Sequence, residues 1–424
     1  MTWTKSQRNV VIAAYLGWTL DAFDFFLMVF MFKDIAAELH SSMQLVATAI
    51  FLTLAMRPIG ALLFGHLADR YGRKPTLMWN ILAYSILEMA SGFAPTMTTL
   101  LVLRALFGVA MGGEWGVGSA LTMETIPASA RGIVSGLLQV GYASGYLLAT
   151  LATDALYDRI GWRYMFVLSV IPATLVLFIR RGIDESPVWR ERRSAPRIGV
   201  STVLRRDWKL AVYAIILMTS LNFFSHGSQD AYPNLFLKGQ HGFDTQLTSN
   251  IMIVANIAAI CGGLFFGSLS ERIGRRRAMI VAALLALPAL PFWAFGSTPF
   301  TLALGAFLMQ ISVQGAWAVV PVHLNELSPP EIRGTFPGFV YQLGNLLAAI
   351  NLNLQVWIAE AHGNNYGLAL AIVVGVVVIV IILLAAFGPE QRGVPMSAVP
   401  VRATLANSPA AGIEVARTWR SAER

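Results

Sequence analysis

Residues 65–74 read GHLADRYGRK and residues 267–276 read GSLSERIGRR, so that Gly65, Asp69, Arg70, Gly72 and Arg73 return as Gly267, Glu271, Arg272, Gly274 and Arg275 at an offset of 202 residues. A second pair keeps the register. Glu124, Pro127, Arg131 and Gly132 of ETIPASARG return as Glu326, Pro329, Arg333 and Gly334 of ELSPPEIRG. Two motifs sharing one offset point to an internal duplication. In the first, glycines that permit a tight turn are interleaved with an acid and several arginines. Each motif sits in a short polar stretch between long apolar runs, and those runs set the fold class.

The 424 residues are 56% hydrophobic and only 13% charged, with a mean hydropathy of +0.61, whereas soluble domains carry about 25% charged residues. A water-soluble enzyme is thereby excluded. The apolar runs lie at about 10–32, 44–68, 76–95, 98–122, 133–155, 163–181, 209–236, 247–270, 277–296, 299–323, 335–358 and 366–388, each close to the ~20 residues that cross a bilayer as a helix. The pattern predicts an all-α polytopic membrane protein of twelve transmembrane helices. Residues 1–32 begin with two positive charges, but Asp21 and Asp24 interrupt the apolar stretch and no small-residue cleavage site follows, so a retained first helix is expected rather than a signal peptide.

Twelve crossings place both termini on one side. Of the 31 Lys and Arg residues, Lys33, Arg159, Arg163 and Lys238 alone fall on the other side, while Arg57 and Arg104 lie inside runs. The positive-inside rule then makes both termini cytoplasmic, in a cell (inner) membrane. The net charge of +8 reports topology, and no nucleic-acid partner is expected. The expected division is a six-helix bundle over 1–181, a cytoplasmic middle loop over 182–208, a second six-helix bundle over 209–388, and a tail over 389–424 too poor in apolar residues to stay ordered.

A single cysteine, Cys261, leaves no disulfide framework, and the six histidines are scattered without metal-ligand spacing. No G-x-x-x-x-G-K-[ST] loop is present to hold a nucleotide. Neither enzymatic activity nor a cofactor or metal is expected; energy would come from a proton gradient.

The motif from Gly65 to Lys74 resembles the G-x-L-a-D-r-x-G-R-[KR] signature of the major facilitator superfamily, in the loop between its second and third helices. That resemblance extends to about residue 388. It implies two pseudo-symmetric six-helix bundles with a substrate site between them at mid-membrane. It also implies a gate in which Gly65 and Gly72 permit the tight turn while Asp69, Arg70, Arg73, Glu271 and Arg275 bridge helix ends across the halves.

Charges within the spans carry the remaining information, since a charge in hydrocarbon usually faces a cavity or a partner. Arg57 lies mid-span beside Pro58, and its repeat mate is Ala259, an asymmetry that favours a substrate role. Arg104 resembles the arginine common in the fourth helix of the superfamily, where a structural role and a substrate contact are both open. Helix 7 reads Asn222-Phe-Phe-Ser225-His226-Gly-Ser228-Gln229-Asp230, with Asn222, His226 and Asp230 on one face. This resembles the N-x-x-[ST]-H-x-[ST]-Q-D signature of Jen-type lactate:proton permeases, within the sialate:proton symporter family, although Asn234 stands where the longer signature has Thr. That likeness carries over substrate contacts to Gln342 and Asn345 in helix 11, and with Arg57 and Asn222 the residues Ser144 and Tyr341 complete the candidate substrate set.

A proton-coupled symporter needs a group that titrates near working pH. His226 with Asp230 is the first candidate, and Asp24, the repeat mate of His226, would face the same cavity. Asp21 and Glu114 are the others. The expected function is proton-coupled symport of a small monocarboxylate of the lactate or pyruvate class; a symporter for sialic acid or another larger organic acid is the alternative, and a transporter-like sensor without net transport a further one. Expected partners are the carboxylate, the proton and the bilayer, with the protein acting as a monomer. Trp3, Trp162, Trp189, Trp208 and Trp357, near span ends, are expected to anchor the membrane interface.

Overall fold

The computed structural model describes residues 3–196, 198–393 and 395–396. Among them every regular element is helical. In the first half α1 (Lys5–Phe30) runs into the short α2 (Phe32–Glu38). Then come α3 (Met43–Tyr71), α4 (Arg73–Gly92), α5 (Met97–Met111), α6 (Glu114–Thr125), α7 (Arg131–Val167) and α8 (Val170–Gly182). Two short helices, α9 (Pro187–Arg192) and α10 (Val200–Arg206), occupy the middle segment. The second half begins with α11 (Trp208–Gln229) and a π-helix over Tyr232–Gln240, followed by α12 (Thr245–Ile273), α13 (Arg275–Leu284) and α14 (Ala286–Phe295). It ends with α15 (Pro299–Ala318), α16 (Val320–Leu327), α17 (Phe336–Ala348), α18 (Asn351–Ala361) and α19 (Tyr366–Phe387).

Among the described residues nine helical stretches are by themselves long and apolar enough to cross a membrane. The other three expected spans are present as helix with a polar or broken course. Span 76–95 lies in α4, which opens on Arg73 and Lys74 and buries Glu88. Span 163–181 is split between the end of α7 and α8 at Leu168 and Ser169, and span 335–358 between α17 and α18 at Ala349 and Ile350. Hydropathy periodicity does not register such breaks, because the apolar residues continue through them.

The surface is inverted relative to a soluble protein. Phe51, Ile59, Leu147, Leu151, Phe265, Trp357 and Phe387 are exposed, while Asp21, Asp24, Arg57, Glu88, Arg104 and Glu114 are buried, as a hydrocarbon solvent demands. Free N–H groups at helix starts are costly in lipid, and side chains satisfy them: Thr4 and Thr298 form capping boxes, and Ser42, Thr96, Asp244 and Asn365 accept from the first turn. The repeated motif falls at two sharp reversals. Gly72 joins α3 to α4 at φ +117° and Gly274 joins α12 to α13 at φ +98°, a backbone region that a side chain would strain.

Of the expected interface tryptophans, Trp208 and Trp357 are exposed, but Trp162 is buried and its Nε1 donates to Glu38 at 2.5 Å, and Trp189 donates to the Asp69 carbonyl at 3.1 Å. Nearby polar partners outcompete the interface for their indole N–H. Much of the tail expected to be disordered, residues 394 and 397–424, lies outside the described residues. In its described part Glu390 accepts from the Arg276 N–H at 3.0 Å and Met396 is buried.

Candidate functional site

The halves meet through the repeated motifs. Asp69 accepts from the backbone N–H of Gly334 at 2.8 Å and of Thr335 at 3.1 Å, and from the Thr335 hydroxyl at 2.7 Å. Its mate Glu271 accepts from the N–H of Gly132, the residue 202 before Gly334. Behind each acid stands an arginine. Arg73 pairs with Asp69 at 2.9 Å and forks onto Glu124 with both bonds at 3.1 Å; Arg275 pairs with Glu271 at 3.2 Å and forks onto Glu326 with both at 3.0 Å. Arg333 and Arg131 then approach Glu124 and Glu326 from the opposite half, at 3.9 Å and 4.0 Å. Glu124 and Asp69 hold the Arg73 guanidinium above its ordinary range against the cost of burial. Arg70 departs from expectation: it is exposed over the Tyr71 ring at 5.3 Å and among the described residues forms no ion pair or hydrogen bond across the halves, because Arg73 already fills the acidic position.

Close backbone contact accompanies these bonds. A Cβ at Gly65 would come within 2.5 Å of the Thr335 Cα, and one at Gly116 within 2.8 Å of the Gly338 Cα. Farther in, Ser135 accepts from the Val322 N–H at 3.1 Å, and Asn325 donates to Ser119 at 3.2 Å. Among the described residues, all hydrogen bonds and ion pairs between the two halves lie from mid-span to the face that carries the motifs. That face is closed. Gly65→Val is therefore expected to hold it open, and labelling of a buried reporter, Ser135→Cys in a Cys261→Ala background, should accelerate several-fold; unchanged labelling would contradict the closure.

Above the closed face lies an aromatic floor. Tyr341 of α17 packs between the halves, 4.7 Å from Trp115, 5.6 Å from Trp317 and 6.4 Å from Trp18, ring centre to ring centre. Trp115 donates to Gln139 at 3.1 Å, and Trp317 to the Leu221 carbonyl at 3.1 Å. Sequence reasoning passed over these tryptophans, yet Trp115 and Trp317 are themselves 202 residues apart, a signal the repeat already carried.

Arg57 borders this floor. Its guanidinium is buried, donates to the Met111 sulfur at 2.7 Å and lies 5.2 Å over the Phe25 ring, with Nε unpartnered. Among the described residues it forms no hydrogen bond or ion pair with a carboxylate, and its charge reaches Asp21 and Tyr142 in its own half and Tyr341 and His226 in the other. On the facing side His226 is half-exposed, with Nδ1 3.2 Å from Asp230 Oδ2 and Nε2 3.0 Å from Asn345 Oδ1. One helical turn and one neighbouring helix thus assemble Asp230, His226 and Asn345 into a chain, as the four-residue spacing predicts.

Other candidates are placed differently. Asn222 spends its amide N–H on the Met218 carbonyl of its own helix at 2.8 Å. Ser144 lies 2.7 Å from the Tyr15 hydroxyl and donates to the Val140 carbonyl at 3.1 Å, so its hydroxyl is committed within the first half. Gln342 is buried with Oε1 unpartnered. Asp24 does not face His226: it is fully buried and accepts from Ser169 at 2.7 Å. The repeat relates backbones, and a local hydroxyl sets where this carboxylate points. Asp21 is buried with both oxygens unpartnered, and Glu114 with Oε2 unpartnered beside Gly17. Arg104 is spent on Glu88 and on Ser91 at 2.5 Å, under the rings of Phe107 and Phe166, inside the first bundle. That pair is structural, since removing one member of a buried ion pair costs about 3–5 kcal/mol.

Known proteins frame this geometry. The profile of the Major Facilitator Superfamily matches residues 14–248 and 215–421. A probable 4-methylmuconolactone transporter of Cupriavidus pinatubonensis is 32% identical over 82% of this chain and 82% of its own length, and the sialic acid transporter NanX of Escherichia coli is 29% identical over 80% and 84%. A carboxylic acid transporter protein homolog of Saccharomyces cerevisiae is 28% identical over 85% of this chain, which spans only 62% of that longer protein. The solved structure of the proton:xylose symporter XylE superposes with a TM-score of 0.74 at 16% identity, covering 92% of this chain and 97% of that one.

Proposed function

The chain belongs to the Major Facilitator Superfamily, and we propose that it carries a small monocarboxylate, of the lactate or pyruvate class, together with a proton across the cytoplasmic membrane by alternating access. The observation that carries this reading is Arg57, a buried guanidinium with no carboxylate at ion-pair distance among the described residues, at the level of the aromatic floor and within electrostatic reach of the facing half. A permanent cation left unpaired in a low-dielectric site favours an anion that brings its own charge, and a carboxylate matches the planar fork. With the motif face closed and the basic residues distributed as they are, the site opens to the outside of the cell.

The proton is proposed to ride on the His226–Asp230 pair. Each imidazole nitrogen faces an oxygen, of Asp230 on one side and of Asn345 on the other, and two acceptors suit the doubly protonated ring. Asn345 and Gln342 sit in α17 beside Tyr341, so that a change in the charge of His226 passes to the helix that lines the substrate. The exposed position of the pair gives it water from which to take the proton.

The aromatic floor favours a second reading, an acid with a larger flat or ring-shaped body, since Trp18, Trp115, Trp317 and Tyr341 offer broad apolar faces. The relatives named for muconolactone and sialic acid transport support it. Competition of labelled lactate uptake in proteoliposomes by a panel of acids separates the two. Pyruvate is expected to compete at the same concentration as unlabelled lactate and sialic acid not to compete; strong inhibition by the ring-bearing acids alone would transfer the assignment to the larger class.

A further inference from the structure

A second cleft lies at the closed motif face, away from the transport site. It encloses about 350 Å³ between the first motif loop (His66, Asp69, Arg70), the middle segment around α9 (Trp189, Arg192, Arg193) and the approach to α17 (Glu331), a size typical of small-ligand sites, which start at about 300 Å³. Both acids on its wall are already neutralised. Asp69 is held by Arg73 and by the N–H groups of Gly334 and Thr335, and Glu331 receives a fork from Arg206 at 3.1 Å and 3.2 Å. The arginines are not. Among the described residues Arg70, Arg192 and Arg193 form no ion pair; Arg70 and Arg193 rest only against the rings of Tyr71 and Trp189, and the Nε of Arg192 is buried without a partner. Burial lowers the Arg192 guanidinium below its usual range, against the opposing pull of the nearby Glu331 and Asp69 charges.

We propose that this cleft binds a phosphate-bearing anion and that its occupancy locks the motif face shut. Guanidinium forks match tetrahedral oxyanions, and three of them converge here on a space larger than one phosphate group. The walls come from the first half, the middle segment and the second half, so the site exists only while the halves are together on this side. A ligand that binds one state alone shifts the equilibrium toward it: at ten times its dissociation constant it lowers the open population about tenfold. The device would slow transport when the anion is abundant on the motif side, and its source is either a free phosphorylated metabolite or the headgroup of an anionic lipid.

The test uses purified full-length protein and no transported substrate, so its failure is separate from failure of the substrate assignment. Labelling of Ser135→Cys, in the Cys261→Ala background, is followed with pyrophosphate against sodium chloride of equal ionic strength, and in nanodiscs of phosphatidylglycerol against phosphatidylcholine. Pyrophosphate is expected to slow labelling about tenfold at ten times its dissociation constant and to raise the thermal midpoint; Arg192→Gln with Arg193→Gln abolishes both effects, while Arg205→Gln, on α10 outside the cleft, keeps them. If the double variant does not fold, the single Arg193→Gln must still weaken the response. Slowing by phosphatidylglycerol alone, lost in the same variants, assigns the site to a lipid headgroup. No response to either anion, or a response that survives in the cleft variants, overturns the proposal.

Discussion

Arg57→Ala is expected to abolish carboxylate uptake while the protein still reaches the membrane and keeps its thermal midpoint within a few degrees. Breaking a buried charge pair by removing one partner costs about 3–5 kcal/mol, or roughly two to four orders of magnitude in affinity. Here the missing partner would be the substrate itself. Among the described residues Arg57 spends only one hydrogen bond on the protein, to the Met111 sulfur, and its charge also acts on the buried Asp21 carboxyl without an ion pair at bonding distance, so its loss breaks no direct ion pair. Arg57→Lys keeps the charge and loses the fork, and uptake should remain at least tenfold below wild type. Near-normal uptake by either variant, measured in proteoliposomes with matched protein content, would remove Arg57 from the substrate site.

The second large effect concerns coupling. His226→Gln or Asp230→Asn is expected to abolish accumulation of the acid against its gradient, yet to spare exchange of labelled for unlabelled substrate, because exchange needs no net movement of a proton. Each replacement leaves the α11 backbone intact, including the Asp230 N–H bond to the His226 carbonyl. Should both variants accumulate substrate with an unchanged pH profile, the proton travels elsewhere, and the buried unpartnered acids Asp21 and Glu114 become the groups to replace.

Much of this architecture was legible in the sequence because it is written in repetition and spacing. The 202-residue offset yields both halves of the gate: Asp69 and Arg73 with Glu124, and Glu271 and Arg275 with Glu326, adopt matching geometries. Four-residue spacing in helix 7 likewise brings His226 onto Asp230, and the neighbouring helix supplies Asn345. What spacing does not encode is the direction a side chain takes once a closer partner is available. Asp24 turns to Ser169 in its own bundle although its mate His226 is half-exposed, Arg70 lies over Tyr71 where Arg73 fills the pair, and the hydroxyl of Ser144 is committed to its own half beside Tyr15. The breaks in spans 163–181 and 335–358 were hidden for a related reason, since hydropathy averages over backbone geometry.

The central claim, that an organic acid and a proton cross together, is tested most directly by uptake of labelled lactate into proteoliposomes containing only this protein. With the lumen alkaline and the outside acidic, lactate is predicted to rise transiently above its external concentration and to collapse when a protonophore is added. Uptake that merely equilibrates, with the same rate whether or not a proton gradient is imposed, would contradict it.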